Sequence, residues 1–480
     1  MADPIQPDLC VVGAGALGIA LAQYANELGA RVTLVNRDVA EPGDGPQGKL
    51  RLAALQASAA RAHAIRSAGA LGLGSPELKI STKLVQERAK AAAASVAAMT
   101  GVERLSALGI EVIGGPVSFV DQSSLMIGDI QIKPRRTVLA LGGRPDIPAI
   151  PGLDQIDYFT PDSILDNNRK LTHLLVIGGN GTAFALAQAF ARLGSEVTLV
   201  PQDGLLPDHD PEAVAFLLAS LRSEGVRIID DGVLSEIIPR PQGIGAIVGL
   251  QSSEVEALDV SHVLVATDLV PDFEALLPEK ARLARPDGST CHYARGSLGE
   301  TSNRRIRVVG AGAGIEQWNY ALAHGRAVIE DLFLGAPLEK LGPQPHLVLT
   351  EPAIVQVGGV AARAKSAQSG QRLLRVNMIE NEQAHALSVP HGLAKVHLSS
   401  DGSVIGAGLV GPGAAEMGAV LALLMEKGIP LHDLARLSLP DPSLLSSLAA
   451  LGEQAAALRP ISPLVMRWRA AKRALSFWRR

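Results

Sequence analysis

Residues 8–35, DLCVVGAGALGIALAQYANELGARVTLV, return 165 positions later as residues 173–200, HLLVIGGNGTAFALAQAFARLGSEVTLV, without a gap and with 13 of 28 positions identical. Each copy opens on a short apolar run rich in β-branched residues, which reads as a buried strand. A glycine turn follows, then an Ala/Leu-rich stretch at helical spacing, then Leu-Gly and a second strand, VTLV. This is a βαβ unit, present twice. The offset is far longer than the period of a stacked solenoid, so the chain is expected to hold two separate α/β domains of the same ancestry.

The first turn reads Gly13-Ala14-Gly15-Ala16-Leu17-Gly18, a complete G-x-G-x-x-G between strand and helix. In that pattern the first glycine makes the tight turn and the second lets the backbone approach a pyrophosphate. The third packs the helix on the strand, and the helix N-terminus faces the anion. The acid that usually holds the adenosine ribose is replaced by Asn36 at the end of the second strand. Exchanging a charge-assisted hydrogen bond for a neutral one costs about 1 kcal/mol. The second turn, Gly178-Gly179-Asn180-Gly181-Thr182-Ala183, keeps its first glycine but carries Asn180 at the third position and Ala183 at the sixth. Its following strand ends Val200-Pro201-Gln202, with neither an acid nor a basic cluster. A folded domain without a ligand explains this turn as well as a dinucleotide site does.

Outward from these units, RIRVVGAGAG (305–314) is a third strand and glycine turn, leading into a helical pattern over 317–334. TVLALGGRPDIPAIPGL (137–153) is a strand ending in Gly-Gly and proline-punctuated extended chain. Residues 50–68 and 84–108 are expected to be helices, and 41–48, EPGDGPQG, a loop. Beyond residue 345 the pattern changes to short strands with helices at 414–427 and 443–457, an α+β arrangement.

The chain has 480 residues, 44 Lys and Arg against 48 Asp and Glu, and 47% apolar residues. That balance excludes a generally basic nucleic-acid binder and a disordered acidic chain. Two cysteines, Cys10 and Cys291, exclude a disulfide scaffold, and the histidines His63, His324 and His432 show no metal-ligand spacing. No metal site is expected. MADPIQPD has no signal-peptide pattern, so a cytoplasmic protein is expected. Residues 171–191 carry no fixed charge but contain a glycine turn, and read as strand–turn–helix and not a membrane span.

With these motifs in hand, the chain resembles the pyridine nucleotide–disulfide oxidoreductases, and within them the mercuric reductase and dihydrolipoamide dehydrogenase branch. The first turn resembles the family's FAD pyrophosphate site, and TVLALGGRP the strand that meets FAD again. TSNRRIRVVGAGAG resembles the second FAD motif, the second turn with DHDPEAVAFLLASLRSEGVRI (208–228) the NAD(P)H domain, and EPAIVQVGG, ENEQA and VIGAGLVGPGAAEM the dimerisation domain. The resemblance implies an α/β fold: an FAD-binding domain over 1–150 and 271–340, an NAD(P)-binding-like domain over 151–270, a dimerisation domain over 345–457, and a tail over 458–480. It implies FAD contacts from Gly13, Ala14, Gly15, Ala16, Leu17, Gly18, Asn36, Arg37, Ala140, Gly142, Gly310 and Ala311. NAD(P)H contacts are implied for Gly178, Gly179, Asn180, Gly181 and Ala183.

The departures fall on chemistry. The places of the branch's two redox cysteines hold Asp44 and Lys49; its flavin-side lysine and helix glutamate map to Ala53 and Ala185. Its His-Pro-Thr…Glu base maps to Asp441-Pro442-Ser443 and Ser446, and its ribitol-binding Asp to Ala311. A dithiol relay needs two sulfurs within reach of one another, so no catalytic residue is assigned. The resemblance then implies a homodimeric FAD-dependent NAD(P)H oxidoreductase that passes electrons to a non-disulfide acceptor such as a quinone. The alternative is an inactive relative serving as a nucleotide-binding or partner subunit. In the tail, Arg467, Arg469, Lys472, Arg473, Arg479 and Arg480 accompany a face of Leu464, Trp468, Ala471, Leu475 and Trp478. This pattern suits peripheral contact with the inner face of an anionic membrane through 464–480, or packing on a partner subunit.

Overall fold

The computed structural model describes the chain except for residues 1–2, 37–43, 75–76, 98–100, 203, 287, 290, 340, 361–370, 460–465, 469 and 474–480. Two compact units result: Met1–Pro207 with Leu217–Glu351, and Asp208–Phe216 with Pro352–Arg480.

The first unit contains both βαβ copies. In chain order its main elements are β1 (Leu9–Val12), α1 (Ala16–Glu27), β2 (Val32–Asn36), α2 (Asp44–Ser67), β3 (Glu111–Gly114) and β4 (Arg136–Leu139). There follow β5 (His173–Ile177), α3 (Gly181–Arg192), β6 (Glu196–Val200), β7 (Arg227–Ile228), β8 (His262–Val265), β9 (Ile306–Val308) and α4 (Trp318–Leu334). One parallel sheet runs β9-β4-β1-β2-β3, the other β7-β6-β5-β8, also parallel. Parallel strands are covered on both faces and so read as unbroken apolar runs. Every residue of β1 is accordingly buried, as are four of the five in β5. In each sheet the central strand sends its chain one way to β2 or β6, while β4 or β8 is added on the other side. That reversal opens a crevice at the carboxyl ends, between β1 and β4 and again between β5 and β8.

The uncharged stretch 171–191 is β5, its turn and α3, as expected; among the described residues no helix is long and apolar enough to cross a membrane. The expected loop at 41–48 is corrected: α2 begins at Asp44. Pro46 sits in its first turn, where a missing N–H breaks no helical hydrogen bond. The helix expected over 84–108 is two helices, Thr82–Ala97 and Val102–Ala107, with Gly101 as the extended N-cap of the second. Two three-stranded antiparallel sheets, one within 117–132 and one within 232–260, have no counterpart in the sequence reading.

The second unit is α+β, as its sequence pattern predicts. Strands β10 (Ala353–Gly358), β11 (Arg372–Asn377), β12 (Leu393–Leu398) and β13 (Val404–Gly411) pair antiparallel in the order β10-β13-β12-β11. Helices α5 (Ala414–Lys427) and α6 (Ser446–Ala457) cover one face over a core that includes Val355, Val396, Leu409, Met417 and Leu448.

Candidate functional site

The first turn sits in the crevice between β1 and β4. Gly13 has φ +113°, and a Cβ there would lie 2.2 Å from the Ala140 carbonyl oxygen. A Cβ on Gly18 would lie 1.7 Å from the Gly13 carbonyl oxygen. Both positions are therefore closed to any side chain. At Gly15 the reverse holds: nothing lies within 4 Å of where a Cβ would stand. Gly15 is the N-cap of α1, no side chain caps the helix, and its first turn contains no acid. The first-turn amides are thus left without a side-chain cap at the positive end of the helix dipole, with room beside Gly15, an arrangement suited to a diphosphate.

The other residues implied for this site converge on it. Gly142 (φ +68°) follows Ala140 at the end of β4 and meets nothing within 4 Å. Gly310 (φ +64°) opposes α1, since a Cβ on it would come within 2.7 Å of Leu17 Cδ2. Ala311, nearly buried, lies beside Gly143, and its methyl offers no hydrogen bond to a ribitol. Ala14 is buried, Ala16 and Leu17 half-buried at the start of α1, and Asn36 ends β2. Arg37 lies outside the described residues.

The second turn repeats the frame with a different filling. Gly178 has φ +145°, and its Cβ would stand 2.2 Å from the Ala266 carbonyl oxygen at the end of β8. Asn180 is the N-cap of α3; its Oδ1 accepts from the amides of Thr182 at 3.1 Å and Ala183 at 3.0 Å. Its Nδ2 donates to Asp268 Oδ1 at 3.0 Å. The segment after β6 folds onto the turn: the Leu206 amide donates to the Gly179 carbonyl at 2.9 Å, and a Cβ on Gly179 would lie 1.8 Å from the Gly204 oxygen. Gly181 faces Val348, and Ala183 is fully buried. Gly178, Asn180, Gln202 and Asp268 line a recess open to solvent, and Gln202 Nε2 is buried there without a hydrogen-bond partner. Sequence reasoning picked out Asn180 but missed Asp268. Its only signal was the parallel between ATD after β8 and ALG after β4.

Near the two crevices Lys49 Nζ donates to the Glu316 carbonyl oxygen at 3.0 Å. Surrounding protein atoms push the Lys49 ammonium below its ordinary pKa although the side chain keeps access to solvent. The Glu316 carboxyl is pushed up, first by desolvation and then by the charge of Asp268. Two further positions where the resemblance implies lost chemistry, Ala185 and Ser446, have structural contacts here. Ala185 is buried, and its carbonyl accepts from Gln56 Nε2. Ser446 Oγ, with the carbonyls of Ser443 and Leu444, receives the Asn381 amide at 2.9–3.2 Å. Cys10 is fully buried in β1; burial, with Glu111 nearby, pushes its thiol up to about 12. It is a core side chain. Among the described residues no group of three or more His, Cys, Asp or Glu is placed to hold a metal ion.

Comparison with known proteins agrees with this architecture. Residues 7–325 match the model of the pyridine nucleotide-disulphide oxidoreductases, and 344–450 match the dimerisation domain of the same family. Mercuric reductase of Acidithiobacillus ferrooxidans is 27% identical over 452 residues, 92% of this chain and 81% of that protein. Dihydrolipoyl dehydrogenase of Bacillus subtilis is 25% identical over 92% of this chain and 94% of its own. Among solved structures, the HOCl-induced flavoprotein disulfide reductase RclA of Escherichia coli superposes with a TM-score of 0.79 at 20% identity, covering 94% of this chain and all of that one. Two βαβ crevices, an antiparallel C-terminal unit and a family match across most of the sequence lead to one conclusion: the chain belongs to the pyridine nucleotide-disulphide oxidoreductase family.

Proposed function

We propose that this chain is an FAD-holding oxidoreductase without a dithiol relay, whose electron acceptor is not a disulfide and is by class a quinone. Members of the family are FAD-dependent, with NAD(P)H as electron donor. The observation that carries the reading is the uncapped N-terminus of α1 above Gly15. Gly13 and Gly18 hold the turn, the amides from Gly15 to Leu17 would bind the diphosphate, and Asn36 would accept from the ribose. Ala140, Gly142, Gly310 and Ala311 would line the rest. Bound FAD supplies the electron-transfer chemistry itself, so the absence of cysteine at positions 44 and 49 does not forbid turnover. The purified protein should absorb at about 450 nm with about one flavin per chain. After chemical reduction it should be reoxidised by a water-soluble quinone and not by a dithiol reagent's disulfide. A colourless protein after incubation with FAD would overturn the reading.

A second reading, an inactive nucleotide-binding or partner subunit, draws support from Ala311 and from the closed second turn. It is separated from the first by quinone reoxidation, which it forbids. The match to the dimerisation domain supports a homodimer. For the tail we propose peripheral contact with an anionic membrane. Met466 and Trp468 are exposed there, and Lys472 lies 5.0 Å over the Trp468 ring; Leu464, Arg469, Leu475, Trp478, Arg479 and Arg480 lie outside the described residues. Cosedimentation with anionic but not zwitterionic vesicles tests it.

A further inference from the structure

We infer that the second glycine turn is shut by its own side chains, so that this chain does not take NAD(P)H there, in disagreement with the family's donor. The first turn serves as an internal control. Gly13 and Gly178 occupy the same place, each with positive φ, and in both a Cβ would stand 2.2 Å from the carbonyl oxygen of the alanine that follows the neighbouring strand. Counting on from these pairs, Gly15 corresponds to Asn180 and Gly142 to Asp268. The two positions that are bare in the first crevice are filled in the second, and the two side chains that fill them bond to each other at 3.0 Å.

This pairing removes what a dinucleotide diphosphate needs. The Thr182 and Ala183 amides, free donors in an open turn, are taken by Asn180 Oδ1. Asp268 adds a carboxylate where the phosphates would bring more negative charge. Gly204 and Leu206 close on Gly179, the first with its carbonyl oxygen where a Cβ would stand, the second by donating its amide to the Gly179 carbonyl. The recess between the turn and the end of β8 is thus lined by the Asn180–Asp268 pair itself, and a diphosphate could reach the turn only by breaking it. Beyond it, Pro201 and Gln202 supply neither an acid for a ribose nor a base for a 2′-phosphate. Asn180 and Asp268 therefore act as a clasp joining the end of β5 to the end of β8, and the domain persists as a scaffold.

The test is titration of the full chain with NADH and with NADPH, read by nicotinamide fluorescence and calorimetry, which does not depend on whether FAD is held at the first turn. The native protein should show no saturation up to about 1 mM of either. The Asn180→Gly/Asp268→Asn double variant should bind at least about tenfold more tightly. Glycine is a tolerated N-cap and Asn is isosteric with Asp, so the fold is retained, as circular dichroism will show. Micromolar binding by the native protein overturns the inference. So does a folded double variant that binds no better than the native chain. Flavin absorbance, recorded on the same samples, reports separately on the FAD reading.

Discussion

At Gly18 a methyl group would stand 1.7 Å from a backbone oxygen, whereas at Gly15 it would meet nothing within 4 Å. The two glycines of one motif are thus required for different reasons, and substitution should separate them. Gly18→Ala must push the turn off β1 and should cost about 1–3 kcal/mol of stability, read by urea unfolding. Gly15 has extended backbone, φ −68° and ψ −180°, which valine adopts readily. Gly15→Val should leave the melting temperature of the apoprotein nearly unchanged and abolish flavin retention, read by absorbance after gel filtration.

The two cysteines differ in the same way: alkylation of the native protein should label Cys291 alone, with Cys10 reacting only after denaturation, as peptide mass mapping will show. His324 predicts an acid limb. It is buried, its Nε2–H donates to the Ser297 carbonyl at 3.1 Å, and its Nδ1 has no partner. Burial holds its pKa below the ordinary 6.5. The unfolded chain then binds the proton more readily than the folded one, so stability rises with pH through the window below 6.5 and is lost as pH falls through it. His262, depressed by the same cause, acts in the same direction. Urea unfolding between about pH 5 and 8 should show this slope, and His324→Gln should flatten it.

Among the elements, α3 is fixed by a network that its sequence does not announce. Arg192, at its last turn, forks onto Glu224 at 2.6 and 2.9 Å and reaches Glu351 Oε2 at 2.5 Å, while Gln188 bridges Glu224 and the Glu351 carbonyl. The Arg192 and Glu224 side chains are only 3% and 8% exposed. Arg192→Met strips the buried Glu224 carboxylate of its guanidinium, leaving it the Gln188 amide, and should cost about 3–5 kcal/mol, again read by urea unfolding. In the second unit Lys395→Met should be similarly costly, since it strands Asp210, 2.9 Å away and almost wholly buried. The helix α2 shows why boundaries are harder to read than elements. Its glycines and Pro46 look like a loop. Lys49 on the Glu316 carbonyl and Arg51 on Asp166 tie its first turns to distant chain, and such contacts override weak local propensity.

For the whole molecule the family's dimerisation domain sets the expectation. Sedimentation should give a mass of twice the 50.0 kDa chain, and the melting temperature should rise with protein concentration by mass action. The sequence by itself determined the two βαβ units, the three glycine turns and the α+β character of the C-terminal part. Each is written in local periodicity and in backbone positions only glycine can occupy. It also determined that no pair of cysteines can stand where a relay would be. Whether each turn is open was decided only by tertiary structure. Asn180 and Asp268 are 88 residues apart. Nothing local links them, and only the parallel pairing of β8 with β5 brings the two strand ends together so that one amide can cap the helix and hold the carboxylate.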